Sequence, residues 1–421
     1  MSRKRTAASK SKRRAPTRTP PNWSSRIYLA ARQAAKDYAA ESSGWDESLA
    51  RLEHLIAQSL DTGTDKHVVR AMEDLEEAAL GEAVNMVMIC AEDAAASIPI
   101  QTQTPEGKER GELRLFLVPT LLVMEPNQGI PQSLPDAAQD ETRSPLDICA
   151  TSLRRYGLIG PDPSVVLLPW LYAYSDLPDT WAGQRRMVRH LMDIANGQDA
   201  PIVRSKPVEA ESRLMMALRF LVFGVFSAND ADAGPLLDDE LVVESFDAAD
   251  EAMDPRLLAW QEDLALTLAE NLPGVLSARI GIPASWDDAT HEGFQMRNLA
   301  GLMATVAPDD HPEVLQSTHV AMGFYLVDED MELRIGITRD EQFINGFRWA
   351  CHQDPEDEIH EAFGALQQMG VPAAQIHVAG EVLGDERCPD CGAPYFPSTT
   401  GQPDHDDTAM MGVIPEHHRL H

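Results

Sequence analysis

Two stretches near the start of the chain space their apolar residues three and four apart. WDESLARLEHLIAQSL sets Trp45, Leu49, Leu52, Ile56 and Leu60 on one helical face, and VVRAMEDLEEAALGEA repeats the pattern with Met72, Leu75 and Leu80. Both are expected to be amphipathic helices with solvated charged faces. The runs VNMVMICAED and GELRLFLVPTLLV (111–123) are continuously apolar over strand length and are expected to be buried strands. In SPLDICATSLRRYG, Ser144 stands as N-cap, Pro145 at the first helical position and Gly157 past the last turn, with Leu146, Cys149, Ala150 and Leu153 on one face. PSVVLLPWLYAY reads as a buried strand ending near Pro169 and Trp170. A further helix runs from a Thr180 cap to a Gly197 stop and carries Trp181, Val188, Leu191 and Ile194.

The same order returns. The strand-like LRFLVFGVF is followed by an acidic segment (227–254), the helix DPRLLAWQEDLALTLAENLPG and the strand VLSARIGIP, which again ends in a proline with a tryptophan, Trp286, close behind. Asp254 and Pro255 stand where Ser144 and Pro145 stood. The expectation is an α/β protein of two related, duplicated halves with a seam between about 200 and 210. From 317 the runs STHVAMGFYLV, MELRIGIT and QFINGFRWAC predict an antiparallel meander in the second half. A helix over 357–369, closed by Gly370 and Pro372, and the strand AQIHVAGEVL complete it. The expected organisation is a basic arm (1–22), a first α/β half (23–205), a second α/β half (206–385) with the acidic insertion 227–254, and a polar, His-rich tail (386–421) that opens with a Cys-x-x-Cys turn.

Charge changes this picture at the N-terminus. The net charge is −32, yet residues 1–18 hold Arg3, Lys4, Arg5, Lys10, Lys12, Arg13, Arg14 and Arg18 and no acid. The rest of the chain carries 27 basic and 67 acidic side chains, a net of −40. An acidic body repels nucleic acid, whereas a short cationic arm attracts phosphates. The arm is therefore read either as a solvated tail or as a nonspecific tether to nucleic acid, the ribosome or an acidic protein partner. It has no aromatic residue to stack on bases. Residues 1–22 lack the large apolar side chains of a secretory signal, and the longest apolar run (214–226) is broken by Arg219, so no membrane segment is expected. Five cysteines, three of them isolated (Cys90, Cys149, Cys351), make no disulfide framework and suit a reducing cytoplasm.

One stretch has a spacing set by chemistry. In ERCPDCGAPYFPS, Cys388 and Cys391 stand two residues apart with Gly392 behind them, which is half of a zinc-knuckle site. The remaining ligands are expected from His405, His417 and His418, with His377, Asp404 and Asp406 as outer-shell or reserve choices. A plain turn with free thiols is the alternative, and a redox pair is disfavoured because Pro394 and Pro397 prevent a following helix. A cytidine-deaminase arrangement fails on spacing, since Glu381 is four residues after His377 and Pro389 follows Cys388. HEAFG at His360 lacks a zincin's second histidine, and the common nucleophile-elbow, phosphate-loop and dinucleotide signatures are absent from the sequence. The calcium-loop pattern is also absent from Asp230, Asp232, Asp238, Asp239 and Glu240. Arg279, Arg334 and Arg348, polar positions in apolar strands, are read as satisfied structural arginines or as the lining of an anion pocket.

The segments SVVLLPWLYAYSDLPDTW and CPDCGAPYFPSTTGQPDH resemble a family of bacterial hypothetical proteins classed as a domain of unknown function. The matching positions are Tyr174 to Pro178, then Asn345, Gly346 and Trp349, then Cys388, Cys391, Gly392, Pro394 and His405. The resemblance implies a bacterial cytoplasmic protein and brings no activity. The leading expectation is a cytoplasmic binding or regulatory protein, metal-stabilised at its C-terminus. The rival is a metal-assisted hydrolase with its site between the halves or beside Cys388 and Cys391.

Overall fold

The computed structural model describes residues 22–104, 107–125, 128–135, 145–160, 164–198, 215–227, 236, 254–306, 315–327, 330–340, 342–352, 354–385, 387–389 and 392–399. The basic arm, Ser144, nearly all of the acidic insertion, Cys391, His405 and His417 lie outside the described residues.

The described residues form two compact units, one of 22–95 with 180–185 and one of the remainder. The first is helical, with α1 (Trp23–Ala39), α2 (Trp45–Leu60), α3 (Lys66–Glu77) and α4 (Gly81–Ala96). Its core takes Ile27 and Ala31 from α1, Leu52 and Ile56 from α2, Val68 and Leu75 from α3, and Met86, Val87 and Cys90 from α4. The expected strand VNMVMICAED is therefore a helix. Its buried residues, Ala83, Met86, Val87, Cys90, Ala91 and Ala95, recur at helical spacing, and the run is apolar on both sides of that stripe because Met88 and Ile89 stand exposed. The start of α6 (Trp181–Ala195) belongs to this unit. The Asp65 carboxylate accepts from the N–H groups of Trp181 (3.0 Å) and Ala182 (2.7 Å), while Arg185 pairs with Asp61 and donates to the Ala94 carbonyl (2.5 Å).

The second unit contains two five-stranded sheets. In the first sheet β1 (Ser97–Thr104), β2 (Gly107–Met124), β4 (Met215–Ser227) and β3 (Ser164–Leu167) lie in the order β1-β2-β4-β3, and β5 (Val275–Ile280) also pairs with β2. All pairings are antiparallel. Helices α5 (Pro145–Arg155) and α7 (Pro255–Asn271) cover one face, through Cys149, Leu153, Trp260 and Leu264. The later turns of α6 and α8 (Trp286–Val306) cover the other, through Val188, Leu191, Phe294 and Met296.

The connections interlock. From β2 the chain passes through α5 to β3, which pairs with β4; from β4 it passes through α7 to β5, which pairs with β2. After β3, Tyr172 bridges to Phe220 before α6 begins at Trp181. After β5, Ala284 bridges to Leu117 before α8 begins at Trp286. The expected boundary at 205/206 thus falls inside one sheet, because β2 and β4, on either side of it, pair from Glu112↔Ser227 to Met124↔Met215.

In the second sheet β6 (Thr318–Val327), β7 (Asp330–Arg339) and β8 (Gln342–Trp349) form the expected meander, and β9 (Ile376–Val378) and β10 (Leu383–Gly384) join the other side of β6 in parallel. Helix α9 (Pro355–Gln368) and the end of α8 pack on its inner face around Trp349, Ile335, Leu302 and Leu366. Residues 392–397 lie over the outer face. A Cβ at Gly336 would fall on the Pro397 carbonyl oxygen, and one at Gly346 on the Phe396 ring. Among the described residues no helix is long and apolar enough to cross a membrane.

Candidate functional site

Helix α8 touches both sheets of its unit, and its polar residues meet the end of β8 and the start of α9. Asn298 closes a two-way bond with the main chain of Ala350: its amide nitrogen donates to the carbonyl at 3.0 Å and its oxygen accepts from the N–H at 3.1 Å. Two turns earlier, His291 Nδ1 stands 2.6 Å from His352 Nε2, and Gln295 Nε2 stands 2.9 Å from His291 Nε2. With the glutamine amide as donor, His291 accepts on Nε2, carries its proton on Nδ1 and donates it to His352 Nε2. The His352 proton then sits on Nδ1, 3.2 Å from Glu358 Oε1.

Glu358, on the first turns of α9, is fully buried. It accepts from the Trp349 indole N–H at 2.7 Å and from the His352 backbone N–H at 2.6 Å. Acidic residues crowd this N-terminus, where the helix dipole favours them. Burial pushes His352 below the ordinary histidine range, against the pull of Glu358, with His291 lowering it further. Glu361, one turn along and hydrogen-bonded to Gln295, is pushed up to about 7 by burial and then by Glu358. The Cys351 thiol is pushed up to about 12, chiefly by burial.

An aromatic stack flanks this chain of polar groups. Tyr174, in the short 3-10 turn Tyr174–Asp176, meets Phe294 edge-on at 4.9 Å between centroids; Phe294 stacks on the His352 ring at 5.1 Å, and His352 meets His291 at 4.6 Å. Tyr174 is 37 % exposed, so the stack reaches solvent at that end. On another side of α8, the Glu292 carboxylate accepts from the Ile282 N–H through both oxygens (3.0 and 2.9 Å), over Gly281, where a Cβ would collide with it. Burial pushes Glu292 up to about 7 in spite of that bond and of Arg279.

A comparison with protein families matches residues 11–416 to a protein of unknown function, DUF2863. The chain belongs to the DUF2863 family. No curated protein and no solved structure matches it.

In this DUF2863 chain the motifs noted in the sequence fall in two places. Tyr174 and Trp349 belong to the α8 junction. Gly346 and Pro394 belong to the outer face of the second sheet, where Pro394 bridges to Arg387; Asn345, opposite Ile337 in the register, accepts from the Gly346 N–H. Of the expected metal ligands only Cys388 is described: it is buried, its carbonyl accepts from the Gly392 N–H at 2.8 Å, and Gly392 has φ +73. His377 is exposed on β9. Among the described residues no group of three potential ligands could hold a metal. His360 is exposed and turned to its own helix at Glu356.

The three singled-out arginines divide. Arg334 is fully buried and satisfied, donating to Glu332 (2.6 Å), Asp385 (2.6 Å) and the Tyr395 carbonyl (2.9 Å), with the Tyr325 ring beneath it. Arg348 pairs with Glu332, and Arg279 is exposed. Sequence reasoning missed His291, His352, Glu358 and Glu361. Their signal was the run of polar residues on an otherwise apolar, glycine-containing segment, 286–306, together with the acidic start of α9.

Proposed function

We propose that this protein acts by binding rather than by covalent catalysis. The observation that carries this reading is the use of the polar groups at the junction. The two imidazoles, the Glu358 carboxylate and the Trp349 indole are directed at one another and at main chain, and together they fix α8, β8 and α9 to each other. Cys90, Cys149 and Cys351, each pushed up to about 12 by burial, stay protonated at neutral pH and serve as small apolar side chains. For the basic arm we propose nonspecific contact with nucleic acid or the ribosome, supported by eight cations in residues 1–18 against an acidic remainder. A variant starting at Asn22 is compared with the full chain for binding a fluorescent nucleic-acid duplex across a salt series. Weaker, flatter binding is expected; identical curves would sink the tether.

A structural zinc at Cys388, Cys391, His405 and His417 belongs to the same proposal. It is supported by the tight, left-handed Gly392 turn behind Cys388, the shape a Cys-x-x-Cys-Gly ligand loop takes. Metal analysis of the full chain beside Cys388→Ser and His405→Ala tests it; metal-free wild type overturns it. A hydrolase is the second reading, favoured by Glu292 and Glu361, whose carboxyls near 7 are suited to proton exchange. It requires that ester or phosphoester turnover, if detected, be lost in Glu361→Gln or Glu292→Gln. We also propose that the two strand-helix-strand runs arose by duplication, supported by the matching bridges and tryptophan-initiated helices after β3 and β5.

A further inference from the structure

Helix α8 carries a cation that the described fold does not neutralise. Arg297 lies in one row of the helix with Gly293, a turn before it, and Gly301, a turn after. Aromatic rings occupy the room left by both glycines: a Cβ at Gly293 would press on Phe220 of the first sheet, and one at Gly301 would fall on Phe347 of the second. Arg297 thus emerges between a ring from each sheet. It is half-buried, and among the described residues nothing accepts a hydrogen bond from its guanidinium. The nearby charge acting on it is another cation, Arg348; burial and then Arg348 push it down to about 10.

Arg219, buried and also pushed down to about 10, donates to the neighbouring Leu218 carbonyl, and other interior arginines are more fully provided for. Arg334 has two carboxylates and a carbonyl, Arg185 has Asp61 and the Ala94 carbonyl, and Arg339 has the Val306 carbonyl and Thr318. Arg348 gives Nε and Nη2 to Glu332, but its Nη1 donates to nothing among the described residues, and its side chain is 40 % exposed. A guanidinium taken from water beside a like charge is unfavourable until an anion joins it. Its planar fork matches the oxygens of a carboxylate or a phosphate.

We propose that Arg297 receives a small oxyanion, the carboxylate or phosphate group of a ligand, at the seam between α8 and β8. The site is independent of the basic arm and would anchor the ligand of a binding protein or the substrate of a hydrolase equally. Inorganic phosphate and succinate are the probes, titrated calorimetrically into the full chain, with sodium chloride at matched ionic strength as control. Saturable binding of either supports the site, and the preferred anion identifies the group. Arg297→Met should weaken that binding at least about ten-fold, the loss of one charge-assisted pair, without lowering the melting temperature in anion-free buffer. Arg297→Lys, which keeps the charge and loses the fork, should bind between the two.

Any of four results overturns the proposal. Neither anion binds wild type beyond the chloride control; Arg297→Met binds as wild type does; Arg297→Lys is indistinguishable from wild type; or Arg297→Met fails to fold or melts more than about 5 °C lower without anion, which reveals an internal partner.

Discussion

Glu358 offers the most direct test of the junction. Its carboxylate receives the Trp349 indole N–H at 2.7 Å and the His352 backbone N–H at 2.6 Å, and it has no contact with solvent. Glu358→Gln keeps the shape but leaves one oxygen for two donors, so one buried N–H faces an amide N–H instead. A buried donor without an acceptor costs about 1–3 kcal/mol. Relief of the carboxylate's own desolvation works the other way, which favours a net loss of about 2 kcal/mol for the amide. Glu358→Ala orphans both donors and opens a cavity beside Trp349, for a loss of about 4 kcal/mol. Urea unfolding followed by tryptophan fluorescence, which includes Trp349, measures both. Glu358→Ala within about 0.5 kcal/mol of wild type would refute the assignment of Glu358 as the acceptor that holds β8 to α9.

Four further outcomes follow from the structure. Glu292 ionises near 7 in the folded chain and at its ordinary 4.5 when unfolded, so its contribution to stability is full below about 4.5 and is lost as pH rises through 7. Glu292→Gln should remove that part of the melting profile, and an unchanged slope between pH 5 and 7 would contradict it. His352 acts in the opposite sense: its folded value lies below 6.5, so the unfolded chain takes up its proton first and stability falls as pH drops below 6.5. Gly336→Ala should displace residues 394–397 from the second sheet, seen as faster proteolysis near the C-terminus, because its methyl would meet the Pro397 carbonyl rather than a movable side chain. Asp65→Ala, which removes the cap of α6, should cost about 1 kcal/mol by thermal unfolding of the helical unit.

Elements with punctuation at both ends were legible in the sequence. Pro145 with Gly157, Thr180 with Gly197 and Asp254 with Gly274 each bracket a helix, and the three glycines all have positive φ. The expected Asp254 cap is present, accepting from the Arg256 N–H at 2.8 Å. Helix α8 was not legible, for a physical reason. Lying between two sheets, it buries Ala289, Phe294, Met296, Asn298, Leu302 and Val306 around much of its girth, so no single apolar stripe marks it. The candidate site suffered with it, since half of its residues are on that helix. Helix α1 lacked an apolar stripe because much of its buried face is alanine. The interlocking of the first sheet depends on pairings far apart in sequence, which periodicity does not encode.

Arg334 bears on how the protein is made. Two of its partners, Asp385 and Tyr395, lie 51 and 61 residues further along the chain, and β9 and β10, which complete one side of β6, also come after the meander. A chain emerging from the ribosome therefore presents β6 to β8 well before anything can neutralise Arg334 beyond Glu332 or cover the outer face. The second sheet is completed only after residue 395 has been synthesised. A product cut short before 376 would carry an interior cation short of a carboxylate and a strand, β6, unpaired on one side, both of which invite degradation or aggregation.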